Sequence, residues 1–279
     1  MQNVMKPVLI KLYGTYFNVL IRFSRTKTAR LAFKVFSTVR KGRVLPHQKK
    51  YLDDAKDQIL PLGKHTLQTY RWKGTRQTVL LIHGWESNTW RWHKLIEKLQ
   101  KANYNIIAFD APGHGYSSGT TLHIPLYAEA VEQVIQATRP SFLVGHSMGG
   151  MSLLYNEYKH PNTAVAKIVT VGSPSKYHDI LKHYQHLLGF NDKVMHALKD
   201  YFQDRFGISI HQLSSKIFVV ENEKKGLLLH DRLDTITPHQ ASVDVHNHWR
   251  NSTLISTEGL GHSMHQDEVN EKIITFLEV

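Results

Sequence analysis

The sequence predicts an α/β protein with a mostly parallel, doubly wound sheet, a helical insertion and a basic helical segment at the N-terminus. Three observations predict it. Short apolar runs alternate with helical stretches from about residue 64 onward. This alternation stops between about residues 175 and 215. The excess positive charge lies in the first 50 residues, before the alternation begins. Strands that alternate with helices favour a parallel sheet covered by helices on both faces.

The composition excludes several classes of protein. Hydrophobic residues make up 41% of the 279 residues and charged residues 21%, which is typical of a globular protein and not of a collagen-like or disordered chain. The chain has no cysteine, so disulfides, thiolate nucleophiles and cysteine-based metal sites are excluded. We expect no membrane-spanning helix, and no signal peptide because Lys6 and Lys11 interrupt the first apolar stretch. The predicted location is therefore the cytoplasm.

Residues 1–63 are predicted to form a basic N-terminal extension. The first 50 residues contain twelve Lys and Arg and no acid, so they hold all of the net charge of +12. Apolar and polar positions recur at helical spacing and predict two amphipathic helices joined near Ser24 to Thr28. Two readings of residues 1–45 stay open: peripheral contact with an anionic membrane, or docking of the apolar faces on the rest of the protein. A nucleic-acid binder is disfavoured because no nucleic-acid motif accompanies the charge.

Residues 64–279 are predicted to form the second domain. Strands are expected at 65–72, 78–82, 105–109, 141–145, 166–171, 227–230 and 253–256, and helices at 89–102, 124–138, 148–159 and 266–277. A helical cap insertion is expected at about 175–215. Its large side chains could line an apolar pocket or pack the insertion onto the body: Tyr177, Tyr184, Leu187, Leu188, Phe190, Tyr201, Phe202 and Phe206.

The strongest chemical signal is the run from Gly145 to Gly150, Gly-His-Ser-Met-Gly-Gly, between an expected strand and an expected helix. Glycines on both sides of a serine suit a sharp strand-to-helix turn in which neighbouring backbone comes close. Such a turn lifts the Ser147 hydroxyl off the sheet. A serine needs a base to act as a nucleophile, and the base needs an orienting carboxylate.

Candidates for the base and the carboxylate follow the last two strands. His262 comes after 253–256, and Asp231 and Asp234 come after 227–230. The order Ser147, Asp234, His262 is the one expected of a strand-turn-helix nucleophile. His83-Gly84-Trp85 follows an early strand and could offer backbone N–H groups to a developing oxyanion.

Together these residues resemble the α/β-hydrolase superfamily over about residues 64–279. The matching motifs are His-Gly-x at 83–85, Asp-x-x-Gly-x-Gly-x-Ser at 110–117, Gly-x-Ser-x-Gly-Gly at 145–150, His-x-x-x-Asp at 230–234 and Gly-x-Gly-His at 259–262. The resemblance implies a Ser–His–Asp hydrolase that needs no cofactor and acts on a small acyl substrate. It further implies the backbone N–H groups of Trp85 and Met148 as oxyanion donors.

The resemblance implies Ser147 as nucleophile, His262 as base, and Asp234, rather than its rival Asp231, as the orienting acid. Serine at position 147 argues against the dehalogenase and epoxide-hydrolase branches, which use aspartate there. Because the superfamily also contains lyases, acyl-transferring enzymes and non-catalytic members, the fold alone leaves the reaction open.

Other polar residues are predicted to have structural roles. We expect Asp110 and His114 to hold the turn after their strand, and His83 to hold the loop that carries Trp85. The paired histidines His183 and His186, and His246 and His248, lack a His-Glu-x-x-His pattern, so we expect no metal site.

Overall fold

An eight-stranded sheet organises the part of the chain that the computed structural model describes, residues 7–279. The strands in chain order are β1 (Lys56–Leu62), β2 (His65–Trp72), β3 (Arg76–Ile82), β4 (Tyr104–Phe109), β5 (Phe142–His146), β6 (Lys167–Val171), β7 (Lys225–Asp231) and β8 (Ser252–Thr257). Their order across the sheet is β1-β2-β4-β3-β5-β6-β7-β8. β2 runs antiparallel to β1 and β4, and every other neighbouring pair is parallel.

The described residues also form eleven α-helices. They are α1 (Pro7–Leu20), α2 (Arg25–Ser37), α3 (Pro46–Asp54), α4 (His93–Lys101), α5 (Ile124–Thr138), α6 (Met148–Lys159), α7 (Tyr177–Leu188), α8 (Asp192–Phe206), α9 (Ser215–Phe218), α10 (Gln240–His246) and α11 (Asp267–Glu278), with a short 3-10 helix at Thr89–Trp92. Among residues 7–279, each helix is too short or too polar to reach across a lipid bilayer.

The central strands are buried along their whole length because helices cover both sheet faces. Every residue of β5 and β6 is buried. On one face, side chains of β3 and β5 such as Leu81 and Val144 share a buried cluster with Leu99 of α4 and Ile273 of α11. Helices α5 and α6 pack on the sheet as well. A parallel sheet covered in this way presents the carboxyl ends of its strands at one edge, where ligands bind in open α/β sheets.

The predicted fold class is confirmed, and the predicted helices at 124–138 and 148–159 coincide with α5 and α6. The predicted helix at 89–102 is divided, because the chain forms a 3-10 turn before α4 begins at His93. The sequence pattern did not indicate α3, β1 or the one-turn helix α9, whereas a helix opened by Pro238 is expected and corresponds to α10. β1 is an edge strand that exposes Lys56 to Ile59 and contains Pro61, so it lacks the apolar alternation by which strands are recognised.

The chain divides into two compact units. The helical unit comprises the chain up to Thr38 together with Lys176–Ser214, and the sheet unit comprises Val39–Ser175 and Ser215–Val279. This division differs from the expected boundary at residue 63. Residues 39–63 lie in the sheet unit because β1 pairs with β2 and Leu52 of α3 packs against Tyr70.

Within the helical unit, the two basic helices pack against the insertion. The ring centroid of Phe33 in α2 lies 5.6 to 6.1 Å from the ring centroids of Tyr201, Phe202 and Phe206. The Tyr184 hydroxyl donates a hydrogen bond of 3.0 Å to the carbonyl of Ala32. The insertion's aromatic side chains thus form a core of their own with α1 and α2.

Candidate active site

Ser147 occupies a strained turn between β5 and α6. Its backbone has φ 51° and ψ −124°, a conformation that a residue with a side chain rarely adopts. The flanking positions must be glycine because a side chain would not fit there. A Cβ on Gly149 would lie 2.3 Å from the carbonyl oxygen of His83, and a Cβ on Gly145 would lie 2.7 Å from the Cα of Gly150. The Ser147 N–H donates to the carbonyl of Val171 at the end of β6. The turn therefore holds the Ser147 hydroxyl at the carboxyl edge of the sheet.

His262 and Asp234 complete a hydrogen-bonded chain with this hydroxyl. The Ser147 Oγ lies 3.0 Å from Nε2 of His262, and Nδ1 of the same ring lies 2.7 Å from Oδ2 of Asp234. Because a carboxylate accepts, Nδ1 carries the proton that it donates to Asp234, which leaves Nε2 of the neutral ring to accept from the serine hydroxyl. The structure thus brings together residues that are 28 and 115 positions apart in the sequence.

The Asp234 carboxylate is held ionised although its side chain is fully buried. Burial by itself would raise its pKa. Hydrogen bonds from the rings of His230 and His262 and from the N–H groups of Thr237 and Ile236 outweigh burial and hold the pKa of Asp234 well below its ordinary value. A buried, ionised carboxylate of this kind is able to stabilise positive charge on an imidazole ring that it contacts.

Asp231, the rival of Asp234 in sequence, faces a different set of partners. Its two carboxylate oxygens accept hydrogen bonds from the N–H groups of Leu233, Gly259 and Leu260 and from the Thr257 hydroxyl. Burial opposes ionisation, but these donors together lower the pKa of Asp231. Asp231 thus ties the end of β7 to the loop that leads from β8 to His262, while Asp234 contacts the ring itself.

The loop at 83–85 lies directly beside the serine. A Cβ added to Gly84 would lie 3.1 Å from the Cβ of Ser147. The buried His83 ring donates through Nδ1 to the Gly84 carbonyl and accepts at Nε2 from the N–H of Ala111, and its own carbonyl accepts from the Tyr127 hydroxyl. Burial lowers the pKa of His83 to about 4, so the ring is neutral and can accept. His83 therefore shapes this loop, as the sequence analysis expects.

The turn at 110–117 supports the same loop. Asp110 accepts hydrogen bonds from the N–H of Thr89, the N–H of Tyr116 and the Tyr70 hydroxyl. His114 donates to the carbonyl of Pro112 and accepts at Nε2 from the N–H of Glu86, a residue with φ 50° directly after Trp85. Burial and the nearby His83 lower the pKa of His114 to about 3. Both residues have the structural surroundings that their expected roles require.

The two expected oxyanion donors lie on either side of Ser147 in the fold. Met148 is the first residue of α6, so its N–H has no acceptor within the helix. Trp85 follows Gly84 in the loop beside the serine. Both are therefore on elements that adjoin the Ser147 hydroxyl.

Two residues near the site escape the sequence analysis. The His146 ring is buried, donates through Nε2 to the backbone carbonyl of His262, and has its pKa held well below the ordinary value by burial. Arg91 donates to the carbonyl of Ser263, and no carboxylate of the described residues lies within 4 Å of it. Its charge also lowers the pKa of His83 and His146. His146 occupies the variable position of its motif and Arg91 lies outside every motif, so only the fold reveals them.

Within residues 7–279, no group of three or more His, Asp or Glu side chains is arranged to hold a metal ion. The histidine pairs at 183 and 186 and at 246 and 248 are included in this finding. The clustered polar groups around Ser147 are instead engaged with one another.

Comparison with known proteins finds the same fold family over part of the chain. The profile of the α/β-hydrolase fold family matches residues 77–206. Pimeloyl-[acyl-carrier protein] methyl ester esterase of Vibrio vulnificus is 26% identical over 141 residues, which is 50% of this chain and 52% of that protein. Phospholipase YtpA of Bacillus subtilis is 33% identical over 91 residues, or 29% of this chain and 35% of that protein. The chain thus spans about half the length of these curated relatives or less.

Solved structures show the same fold. An esterase from Exiguobacterium antarcticum superposes with a TM-score of 0.62 at 18% identity, over 79% of this chain and 99% of that one. The chain thus has the α/β-hydrolase fold, and the match of the family profile over residues 77–206 supports its resemblance to that superfamily.

Proposed function

We propose that the protein is a serine hydrolase that cleaves a carboxylic ester or a related acyl bond. The observation that carries this proposal is the hydrogen-bonded chain from Ser147 Oγ through His262 to Asp234, with distances of 3.0 and 2.7 Å. Relatives named as a methyl ester esterase and a phospholipase support an ester as the substrate. The proposed reaction uses no metal or organic cofactor.

In the proposed mechanism, His262 takes the hydroxyl proton as Ser147 attacks the carbonyl carbon. Asp234 stabilises the imidazolium, and the N–H groups of Trp85 and Met148 bind the oxyanion of the tetrahedral intermediate. His262 then returns the proton to the leaving alcohol, which leaves an acyl group on Ser147. Water, activated by the same imidazole, releases the acid and restores the hydroxyl.

The proposed substrates are esters of small to medium, apolar acyl groups. The sequence offers no cluster of residues to pair with a charged acyl chain, but the structure adds Arg91, a half-buried cation near the site. Burial lowers the pKa of Arg91 to about 9, which leaves it charged at neutral pH. An anionic acyl chain is therefore the competing substrate class that a test must include.

A panel of p-nitrophenyl esters tests both the activity and the substrate class. The panel contains acetate, butyrate, octanoate and the anionic hemisuccinate. We expect the three uncharged esters to be hydrolysed, with activity lost in Ser147→Ala. Ser173→Ala is the matched control, because Ser173 is a buried serine whose hydroxyl donates to the Ser147 carbonyl without lying in the chain to His262.

Three outcomes of this panel would count against the proposal. Hydrolysis by Ser147→Ala at the unsubstituted rate would refute the nucleophile. Activity confined to the hemisuccinate would refute the apolar acyl group. Absence of hydrolysis across the panel, with the protein folded, would favour the alternatives for this fold, namely a lyase, an acyl-transferring enzyme or a non-catalytic member.

A further inference from the structure

One face of α1 is fixed against the hairpin formed by α7 and α8. Gly14 allows the close approach, since a Cβ there would lie 1.8 Å from the carbonyl oxygen of Leu188. The Asn18 side chain donates to the carbonyl of Gly189 and accepts from the N–H of Asn191. Phe17 is buried, with its ring 6.5 Å from that of Phe190. These contacts set the rotation of α1 about its own axis.

With the rotation set, a second apolar face of α1 is left in solvent. Leu12, Tyr16 and Val19 of α1 are 56%, 49% and 51% exposed, and Phe23 in the turn that follows α1 is 82% exposed. Their spacings of 4, 3 and 4 place them on one side of a helix, opposite the side that carries Gly14 and Phe17. We call these four residues the outer stripe. Nothing in the described part of the chain covers it.

Basic side chains accompany the outer stripe in the same unit. Lys11 and Arg22 lie on α1 and the turn after it, and Lys27 and Arg30 lie on α2, and all four are exposed. No carboxylate of the described residues lies within 4 Å of any of them, whereas Arg25 pairs with Asp200. The helical unit as a whole has twelve Lys and Arg against four Asp and no Glu.

We propose that the outer stripe, together with the exposed bases of the same unit, forms a docking surface for an anionic lipid membrane. A helix with exposed aromatic and aliphatic side chains on one side, flanked by Lys and Arg, has the amphipathic character of helices that lie in the membrane interface. The apolar side chains enter the boundary between headgroups and acyl chains, while the bases remain at the level of the lipid phosphates.

The positive charge of the helical unit favours an anionic membrane over a second copy of the chain as the partner of the outer stripe. Two helical units, each with an excess of eight positive charges, repel one another when like surfaces meet. An anionic bilayer instead attracts each base within a Debye length of its surface. The surface is distinct from the Ser147 site, so this inference stands independently of the proposed hydrolase activity.

Vesicle co-sedimentation of the full-length protein tests the inference. The vesicles are pure phosphatidylcholine, or phosphatidylcholine with about one third phosphatidylserine, at low and high salt. We expect binding to the anionic vesicles, at least tenfold weaker binding to the neutral ones, and loss of binding as salt rises. Point variants are preferable to deletion of residues 1–45, because deletion would uncover the buried faces of α7 and α8.

Two sets of substitutions separate the apolar from the electrostatic contribution. Leu12→Ser, Tyr16→Ser, Val19→Ser and Phe23→Ser together should weaken binding to anionic vesicles about tenfold or more. Lys11→Gln, Arg22→Gln, Lys27→Gln and Arg30→Gln together should have a similar effect at low salt.

Matched controls come from the sheet unit. Ile59→Ser removes an exposed apolar side chain of β1 that is 65% exposed. Lys64→Gln, Lys73→Gln and Lys101→Gln together remove three exposed bases. Both controls should bind vesicles as the unsubstituted protein does. Circular dichroism and the thermal unfolding midpoint check that every variant is folded.

Several results would overturn the inference. These are recovery of the unsubstituted protein in the supernatant with anionic vesicles, or binding that the outer-stripe substitutions leave unchanged. Equal binding to neutral and anionic vesicles would remove the role of the bases. A dimer in light scattering that the outer-stripe substitutions dissociate would assign the stripe to a second copy instead.

Discussion

The loop after β3 and the two loops after β7 and β8 meet at Ser147, but different chemistry holds them in place. Neutral imidazoles hold the backbone on both sides of Trp85: His83 donates to the carbonyl of Gly84, His114 accepts from the N–H of Glu86, and burial lowers the pKa of both. The Asp110 carboxylate acts further along this loop, where it accepts from the N–H of Thr89. Ionised carboxylates hold the other two, because Asp231 and Asp234 accept only from N–H groups, hydroxyls and imidazoles.

The difference follows from what each side must bind. In the proposed reaction, the oxyanion develops beside Trp85, where a fixed negative charge would oppose it. The positive charge develops on His262, where a buried carboxylate stabilises it. The groups in direct contact thus differ in the same way: neutral imidazoles bond the backbone on both sides of Trp85, and a carboxylate bonds the ring of His262.

The largest expected effect comes from the two residues between these sides. Ser147→Ala and His262→Ala should each lower kcat/KM by about three to six powers of ten, and the double variant should be no worse than the poorer single one. The reason is that nucleophile and base act as one unit. Steady-state kinetics on a p-nitrophenyl ester measures this, and losses that multiply in the double variant would show that the two residues act separately.

The next effect distinguishes the two carboxylates. Asp234→Asn should lower kcat/KM by about three to four powers of ten, because the amide disturbs the tautomer of His262. Asp231→Asn should cost about tenfold or less in activity but about 1–3 kcal/mol in the free energy of unfolding, since it weakens the hydrogen bonds from Thr257 and Leu260.

Kinetics and urea unfolding of both asparagine variants check this prediction. Equal losses of activity in the two variants would contradict the assignment of Asp234 as the orienting acid.

The smallest expected effect is the pH dependence of folding stability that His114 causes. The pKa of His114 is about 3 in the folded protein and near 6.5 in the unfolded chain. Burial is the main cause of this lowering; His83 and Arg43 add to it, and Asp110 opposes it. The folded state therefore binds fewer protons than the unfolded state below pH 6.5. Stability is fully present above pH 6.5 and falls by up to about 1.4 kcal/mol per pH unit as the pH drops towards 3.

His114→Gln isolates this contribution. The glutamine oxygen can still accept from the N–H of Glu86 but does not titrate. Urea unfolding between pH 6.5 and 4.5 should show a shallower loss of stability in this variant than in the unsubstituted protein. Asp231→Asn should leave the slope in that range unchanged, because the lowered pKa of Asp231 acts only below about pH 4. Identical slopes for all three proteins would contradict the role of His114.

The extent of sequence prediction differs between parts of the molecule for physical reasons. Buried strands and amphipathic helices are recognisable because their apolar spacing is local. The turn around Ser147 is recognisable because its neighbours must be glycines, since a side chain there would collide with nearby backbone. The exposed edge strand β1 lacks that spacing. His146 and Arg91 donate hydrogen bonds to backbone carbonyls at His262 and Ser263, more than a hundred residues away. No local sequence pattern indicates such distant contacts.

The two basic helices illustrate the same limit. Their amphipathic pattern was recognisable, but it leaves open which apolar face is buried. The structure answers this within the helical unit, where Gly14, Phe17 and Asn18 fix one face of α1 and leave Leu12 and Val19 exposed on the other.

Labelling with a fluorophosphonate probe tests the central claim most directly, because the probe reacts covalently only with an activated serine. We predict one adduct per chain, assigned to Ser147 by mass spectrometry of the peptides. It should be absent in Ser147→Ala, strongly slowed in His262→Ala and retained in Ser173→Ala. An adduct on another serine, or labelling of His262→Ala at the unsubstituted rate, would contradict the account.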